Sequence, residues 1–162
     1  MDASIGIIGG ADGPTAIFVS TGQPEWFSTF GLVIVVLMLI PNCIYAFRHK
    51  QKLVAGQSSL LTLLEQIGRY GCMIFMVINP MPVQPSLAGY LAYIIGSIIL
   101  LAAYWLVWLL YFRRDVRWKR MALAILPSLL FLLCGAATQH WLLLACAVLF
   151  SISHISSTYK NA

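Results

Sequence analysis

Residues 87–112 read LAGYLAYIIGSIILLAAYWLVWLLYF, a stretch of 26 residues without a charged side chain. A helix needs about 20 apolar residues to cross the hydrocarbon core of a bilayer, and this stretch exceeds that length. A helix that is apolar on all sides has no polar face to turn toward water. The stretch therefore predicts a transmembrane helix, and it decides the class of fold.

Four further apolar stretches approach the same length and composition. Only Thr138, Gln139 and His140 separate the last two, which predicts a helical hairpin with a tight turn. We therefore predict an all-α fold, an integral membrane bundle of about five transmembrane helices with a Gly-rich N-terminal segment at residues 1–25. The bundle comprises residues 26–162, with spans at about residues 26–47, 60–78, 87–112, 121–137 and 141–155.

The composition of the whole chain supports this class. Hydrophobic residues make up 60% of the 162 residues and charged residues 9%, whereas an average soluble domain has about 45–50% and about 25%. A soluble chain of this length could not bury so much apolar surface, but a lipid bilayer acts as its solvent. The net charge of +5 does not indicate a nucleic-acid partner, because the basic residues lie in short connections between apolar stretches.

The basic residues follow an alternating pattern along the chain. The connections after the first and third spans, residues 48–52 and 113–120, are basic, and so is the tail with Lys160. The connections after the second and fourth spans carry no charge. Because cytoplasmic loops are enriched in lysine and arginine, we expect a multi-pass protein of the bacterial cytoplasmic (inner) membrane with its N-terminus outside and its C-terminus in the cytoplasm.

Three ionisable side chains fall within the predicted spans. Glu65 and Arg69 are four residues apart, so they share one face of the second helix. Because charged groups are costly at membrane depth, two interpretations follow. The pair neutralises itself and fixes the register of the bundle, or it belongs to an ion or proton path with Glu65 as the carrier. His154, near the end of the fifth span, is a candidate for proton handling or for a capping or interfacial role.

Small residues predict where the helices pack. Ala88, Ala92 and Gly96 recur every four residues along the third span, and Gly68 and Gly71 lie close together on the second. In lipid, helices associate where small side chains let their backbones approach. We predict a helix–helix contact along each of these faces.

The sequence contains no arrangement typical of catalysis. Its four cysteines lie in or beside apolar stretches, and no two of them have the C-x-x-C spacing of a redox or zinc site. His49 and His140 fall in connections and suggest no role. We therefore assign no catalytic residue and no metal ligand from these groups, and we expect the chain to be non-catalytic by itself.

The N-terminal segment holds the most specific motif of the chain. Residues 6–17 read GIIGGADGPTAI, a run in which glycines flank one carboxylate, Asp12. Glycine allows backbone angles that expose carbonyl groups, and hard cations bind such oxygens together with carboxylates and hydroxyls. Asp12, Gly13 and Thr15 are therefore candidate ion-binding residues.

This run closely resembles a signature of the beta subunit of the sodium-translocating decarboxylases, which couple the decarboxylation of oxaloacetate, methylmalonyl-CoA or glutaconyl-CoA to sodium export. The resemblance covers residues 6–17. It implies Na⁺ as a bound ion, Asp12 as its ligand with Gly13 and Thr15 beside it, and decarboxylase subunits as partners.

The remainder of the chain, residues 31–157, resembles a group of small uncharacterised bacterial multi-pass membrane proteins. The resemblance lies in the short patterns at residues 40–42 (IPN), 64–68 (LEQIG), 111–113 (YFR) and 153–155 (SHI). It implies the fold and no activity.

The sequence leaves the function open between different classes. The first is a small multi-pass membrane protein without catalysis that serves as an accessory or partner-binding subunit, with a membrane or decarboxylase subunit as its partner. The second is a sodium-ion-translocating membrane subunit or fragment related to decarboxylase pumps, with Asp12 as ion ligand. A membrane enzyme is a third class, supported only by scattered histidines. The residues indicate no cofactor apart from Na⁺ in the second case.

Overall fold

The computed structural model describes residues 8–10, 13–15, 26–48, 60–80, 83 and 85–161 of the chain. The regular structure of this part is almost entirely helical. The helices are α1 (Thr29–Arg48), α2 (Leu60–Val77), α3 (Leu87–Arg113), α4 (Arg117–Ala137) and α5 (Trp141–Asn161). Two three-residue strands, β1 (Ile8–Gly10) and β2 (Gly13–Thr15), pair in antiparallel fashion in the N-terminal segment.

All five helices are long and apolar enough to cross a membrane, which confirms the prediction of a multi-pass helical bundle. Two helices extend beyond the apolar stretches of the sequence, since α5 continues past residue 155 to Asn161. In the same way α4 begins at Arg117 rather than near residue 121. A hydropathy pattern ends where polar residues begin, but a helix can continue after it has left the hydrocarbon region.

The helices are arranged as a ring. α2 packs on α5, α5 on α4 and α4 on α3, and α1 contacts both α2 and α3. The buried interior includes the side chains of Cys72, Phe131, Cys134, Ala147 and Phe150. Large apolar side chains are exposed on every helix, and this is the surface that a transmembrane bundle turns toward lipid.

The contact between α2 and α5 depends on glycine. A Cβ atom added to Gly68 would lie 2.8 Å from the backbone Cα of Phe150, and one added to Gly71 would lie 2.8 Å from the Sγ atom of Cys146. At position 68 the neighbour is backbone, so only glycine permits the two helices to approach this closely, whereas at position 71 a larger residue would require the Cys146 side chain to move. The predicted contact along this face of α2 is confirmed.

The predicted contact face of α3 is wrong in part. Gly96 does pack on Leu133 of α4, but Ala88 and Ala92 are exposed. The buried face of α3 instead follows large and polar side chains, namely Tyr93, Ser97, Tyr104 and Trp108. Gly89, which packs on the carbonyl of Ala137, is a second glycine in this contact. The contact of α3 with its neighbours therefore combines two glycines with large aromatic side chains, and a search for small residues alone misses the second component.

At the end of the bundle where α1 begins, backbone hydrogen bonds join two segments of the chain. The N–H of Ser28 donates to the carbonyl of Val77 at 2.7 Å, and the N–H of Asn79 donates to the carbonyl of Trp26 at 2.7 Å. These bonds join the residues before α1 to the residues after α2. They satisfy polar backbone groups that neither helix can satisfy internally.

The turn between α4 and α5 ends one helix and begins the next. Gln139 has a φ of 54°, and the N–H groups of Gln139 and His140 donate to the carbonyls of Ala136 and Gly135, as in a Schellman motif. The Nδ1 atom of His140 then accepts the N–H of Leu143 at 3.0 Å and so caps α5.

Burial lowers the pKa of His140, which keeps the imidazole neutral and its Nδ1 available as an acceptor. The predicted hairpin is confirmed, and His140, which suggested no role in the sequence, is a buried structural residue.

A proline inside α1 determines how this helix attaches to α3. Pro41 has no backbone N–H, so it cannot donate to the carbonyl of Leu37 four residues earlier. The indole Nε1 of Trp105 on α3 donates to that carbonyl at 3.2 Å instead. One residue further along α1, the side-chain amide of Asn42 donates to the hydroxyl of Tyr104 at 2.8 Å. The carbonyl that Pro41 leaves without a donor in α1 thus becomes part of the contact between α1 and α3.

We expect Trp105→Phe to destabilise the bundle by about 1–3 kcal/mol, because it leaves the Leu37 carbonyl without a donor in an apolar environment. The free energy of unfolding can be measured by titration with SDS in mixed micelles. Trp118, which is 55% exposed, provides the matched control, and Trp118→Phe should change stability by no more than about 0.5 kcal/mol. In a Pro41→Ala background the backbone N–H of residue 41 can serve the carbonyl, so an equal cost of Trp105→Phe in both backgrounds would contradict this account.

Candidate functional site

The charged pair of α2 is the first component of the site. An Nη2 atom of Arg69 lies 2.7 Å from Oε1 of Glu65, one helical turn away. The Glu65 side chain is 11% exposed and that of Arg69 35% exposed, so the carboxylate is the more deeply buried partner. A buried carboxylate requires a nearby cation, and the i, i+4 spacing supplies one from the same helix.

His154 reaches the same carboxylate from α5. Its Nδ1 atom lies 2.9 Å from Oε1 of Glu65, and its ring stacks on Phe150 with the centroids 4.8 Å apart. This contact is possible because Gly68, one turn from Glu65, lets α5 approach α2 closely. The structure therefore brings together three candidate residues that the sequence presented as a pair and a separate histidine.

A polar cavity of about 480 Å³ opens beside this cluster. It lies where α1, α3 and α5 end and where α2 and α4 begin, which is the end that carries the basic connections. Its lining combines carboxylates, cations and hydroxyls, from Tyr45, Glu65, Tyr111, Asp115, Arg120, His154, Ser157 and Thr158. At the opposite end, the backbone bonds around Ser28 and Asn79 join the residues before α1 to those after α2.

A second ion pair lies in the wall of the cavity. Arg120 contacts Asp115 through two hydrogen bonds of 2.8 Å each, from its Nε and Nη2 atoms to the two carboxylate oxygens. Both side chains are well exposed, so water and salt screen this pair. It fixes the orientation of the guanidinium at the cavity more than it stabilises the fold.

Aromatic side chains form the wall between α1 and α3. The ring of Tyr45 contacts Trp108 and Tyr111, with centroids 5.6 and 5.8 Å apart. The Arg48 guanidinium lies 5.6 Å from the ring centre of Phe112 at the end of the same cluster. Tyr45 is therefore a packing residue that also contributes to the cavity wall.

One lysine of the basic connection between α3 and α4 has a structural role. Lys119 is buried, and its Nζ atom donates to the carbonyls of Leu110 and Arg114 at 2.7 and 2.8 Å. These carbonyls belong to the C-terminal turn of α3, which a positive charge stabilises. In the sequence, Lys119 is one of several basic residues in the connection between the third and fourth spans. Nothing in the sequence distinguishes it from the neighbouring arginines.

Of the predicted ion-binding residues, Gly13 and Thr15 do not line this cavity. Asp12 lies outside the described residues. Gly13 and Thr15 are the first and last residues of β2, where Gly13 is paired with Gly10 and Thr15 with Ile8. The assignment of Asp12, Gly13 and Thr15 to an ion site remains a prediction.

The cysteines of the described helices are distributed through the bundle. Cys72 and Cys134 are buried, Cys146 is partly buried and Cys43 is exposed, and all four are free thiols. Within the part of the chain that the structure describes, no three His, Cys, Asp or Glu residues are grouped in a way that could hold a metal ion. The chemistry of the site therefore depends on the ion pairs and hydroxyls around the cavity.

Comparison with known proteins assigns no family to the chain and no role to these residues. No protein-family model, curated protein sequence or solved structure matches the chain.

We expect Arg69→Met to destabilise the bundle by about 2–3 kcal/mol, because it removes the nearest cation from a buried carboxylate. Breaking a fully buried pair costs about 3–5 kcal/mol, and the 35% exposure of Arg69 reduces that value. The double variant Glu65→Gln/Arg69→Met should recover part of the loss, since the uncompensated charge is gone. Thermal unfolding in a mild detergent measures both effects.

The exposed Arg117 on α4 provides the matched control, and Arg117→Met should leave the melting temperature nearly unchanged. A double variant that is as unstable as Arg69→Met alone would show that the charge of Glu65 is not the cause.

Proposed function

We propose that this protein is a small multi-pass subunit of the bacterial cytoplasmic membrane that has no catalysis of its own and acts by binding a partner at its basic end. The observation that carries this proposal is the difference between the two ends of the bundle. At the end where α1 begins, backbone hydrogen bonds join the residues before α1 to those after α2, and the described residues include no charged side chain; the other end is basic and opens into a polar cavity.

The pairing of the polar groups supports binding over catalysis. Glu65 is engaged on one oxygen by both Arg69 and His154, at 2.7 and 2.9 Å. A group that transfers protons to a substrate must be within reach of it and available to it. A carboxylate held by two neighbours is better suited to joining α2 and α5 than to acid–base chemistry.

The charge distribution supports an orientation with the cavity toward the cytoplasm. The arginines at the end of α1, at the end of α3 and at the start of α4 all belong to the same end of the bundle. Cytoplasmic loops are the ones enriched in such residues. The N-terminus would then lie outside, and a membrane or decarboxylase subunit would meet the protein on the cytoplasmic side.

Site-specific photocrosslinking in native membranes tests this proposal. A benzoylphenylalanine replaces either Trp118 or Tyr159, which are 55% and 75% exposed near the basic end. Trp141, 75% exposed at the end where α1 begins, is the matched control position. We expect one discrete larger product from Trp118 or Tyr159 and none from Trp141, together with co-purification of the same partner in mild detergent. A protein that crosslinks equally at both ends, or that purifies only as a monomer, would contradict the proposal.

The N-terminal run favours a second candidate, a sodium-translocating subunit or fragment that uses Asp12 as ion ligand. In the GIIGGADGPTAI run, β1 and β2 pair so that Gly10 is opposite Gly13, with only Ala11 and Asp12 between the strands in sequence. The resemblance of this run to the decarboxylase beta subunit supports a carboxylate ligand for Na⁺ here. A hard cation of this kind prefers oxygen ligands, which the run supplies.

Sodium uptake into proteoliposomes tests this candidate. We expect uptake of radioactive sodium, and a higher melting temperature in NaCl than in KCl, both abolished by Asp12→Asn. Asp2→Asn changes the other aspartate of the N-terminal segment and should leave both signals intact. Equal behaviour in NaCl and KCl for the unmodified protein would exclude a sodium site.

A further inference from the structure

The two carboxylates that line the cavity at the basic end already have charged partners, one of which, Arg69, lies outside the lining. Each of the two carboxylates is matched by an arginine, Glu65 by Arg69 at 2.7 Å and Asp115 by Arg120 at 2.8 Å. An anion that entered would face both carboxylates, and a cation would face the Arg120 guanidinium and two carboxylates that already have partners. An ion of either sign would therefore lose its hydration without gaining an unmatched counter-charge, which is unfavourable.

The same lining is well suited to hydroxyl groups. Four hydroxyls line the cavity, from Tyr45, Tyr111, Ser157 and Thr158, and each of them can donate as well as accept. A carboxylate has about four acceptor sites and a guanidinium five donors, so the ion pairs retain hydrogen-bonding capacity beyond the contacts that they make with each other. A ligand hydroxyl can bond to these groups without separating either pair.

We propose that this cavity binds a neutral polyhydroxylated ligand, a sugar or polyol, which is either free in solution or the headgroup of a membrane lipid. The volume of about 480 Å³ lies within the range of about 300–1,000 Å³ that is typical of small-molecule sites. The tyrosine rings of the α1–α3 wall add an apolar surface for the carbon-bound hydrogens of such a ligand. The position of the cavity at the helix ends makes it reachable from water and from the headgroup layer.

Saturation-transfer NMR on the full-length protein tests this inference. The protein is purified in a detergent without a sugar headgroup and reconstituted in phosphatidylcholine nanodiscs. Glucose and myo-inositol are the neutral probes, and gluconate and glucosamine are their charged counterparts. We expect saturation transfer to the neutral probes and at least about tenfold weaker binding of the charged ones, because an added charge finds no free partner. Equal or tighter binding of either charged probe would overturn the proposal.

Variants of the lining localise the binding. Tyr111→Phe removes one hydroxyl and preserves the ring contacts of the aromatic wall. Thr158→Val removes one hydroxyl on α5 and preserves the branched shape of the side chain. Each should weaken glucose binding about twofold to tenfold, which corresponds to one hydrogen bond. Tyr159→Phe removes a hydroxyl outside the cavity on the same helix and should bind as the unmodified protein does. If neither lining variant differs from Tyr159→Phe while all three retain the melting temperature, the ligand does not lie in this cavity.

A final comparison identifies the source of the ligand. Nanodiscs that contain a neutral glucosyl diacylglycerol should abolish the transfer to free glucose if the natural ligand is a lipid headgroup. Undiminished transfer assigns the site to a free sugar or polyol. Absence of transfer to both glucose and myo-inositol in plain nanodiscs would refute both forms. These measurements use purified protein alone, so they are independent of the partner proposed above.

Discussion

A carboxylate buried within a transmembrane bundle requires a compensating charge, and the arrangement of this protein at its basic end follows from that requirement. Glu65 obtains its first partner, Arg69, from its own helix and its second, His154, from α5. The second contact needs the two backbones to be close, which the glycine at position 68 permits. The contact between α2 and α5 therefore has an apolar part around Gly68 and a polar part formed by Glu65 and His154. The polar part lies at the wall of the cavity.

The sequence predicts the local features of this arrangement well. The five helices follow from apolar length alone, and the contact between Glu65 and Arg69 follows from their spacing. The meeting of Glu65 with His154 could not be predicted in the same way, because it depends on which helices are neighbours. Apolar helices of similar length give little indication of their lateral order, and the glycine face of α2 was the one signal that a close neighbour exists.

The erroneous part of the prediction for α3 has a physical cause. Small residues allow close approach, but they do not require it, and Ala88 and Ala92 are also acceptable on a lipid-facing surface. Large side chains can define a contact equally well when each finds a partner, as Trp105 does at the carbonyl that Pro41 leaves free. The Asp12 site is a different case, since its sequence motif is specific while the aspartate lies outside the described residues.

The bond from Trp105 to the Leu37 carbonyl has a consequence for the assembly of the protein in the membrane. During synthesis α1 is made first, and its backbone then contains an acceptor that no group of its own helix can satisfy. The donor for this acceptor lies on α3 and becomes available only after two further helices have been synthesised. Insertion of the first helix and completion of its hydrogen bonding are therefore separate events, and the order of the helices along the chain sets the interval between them.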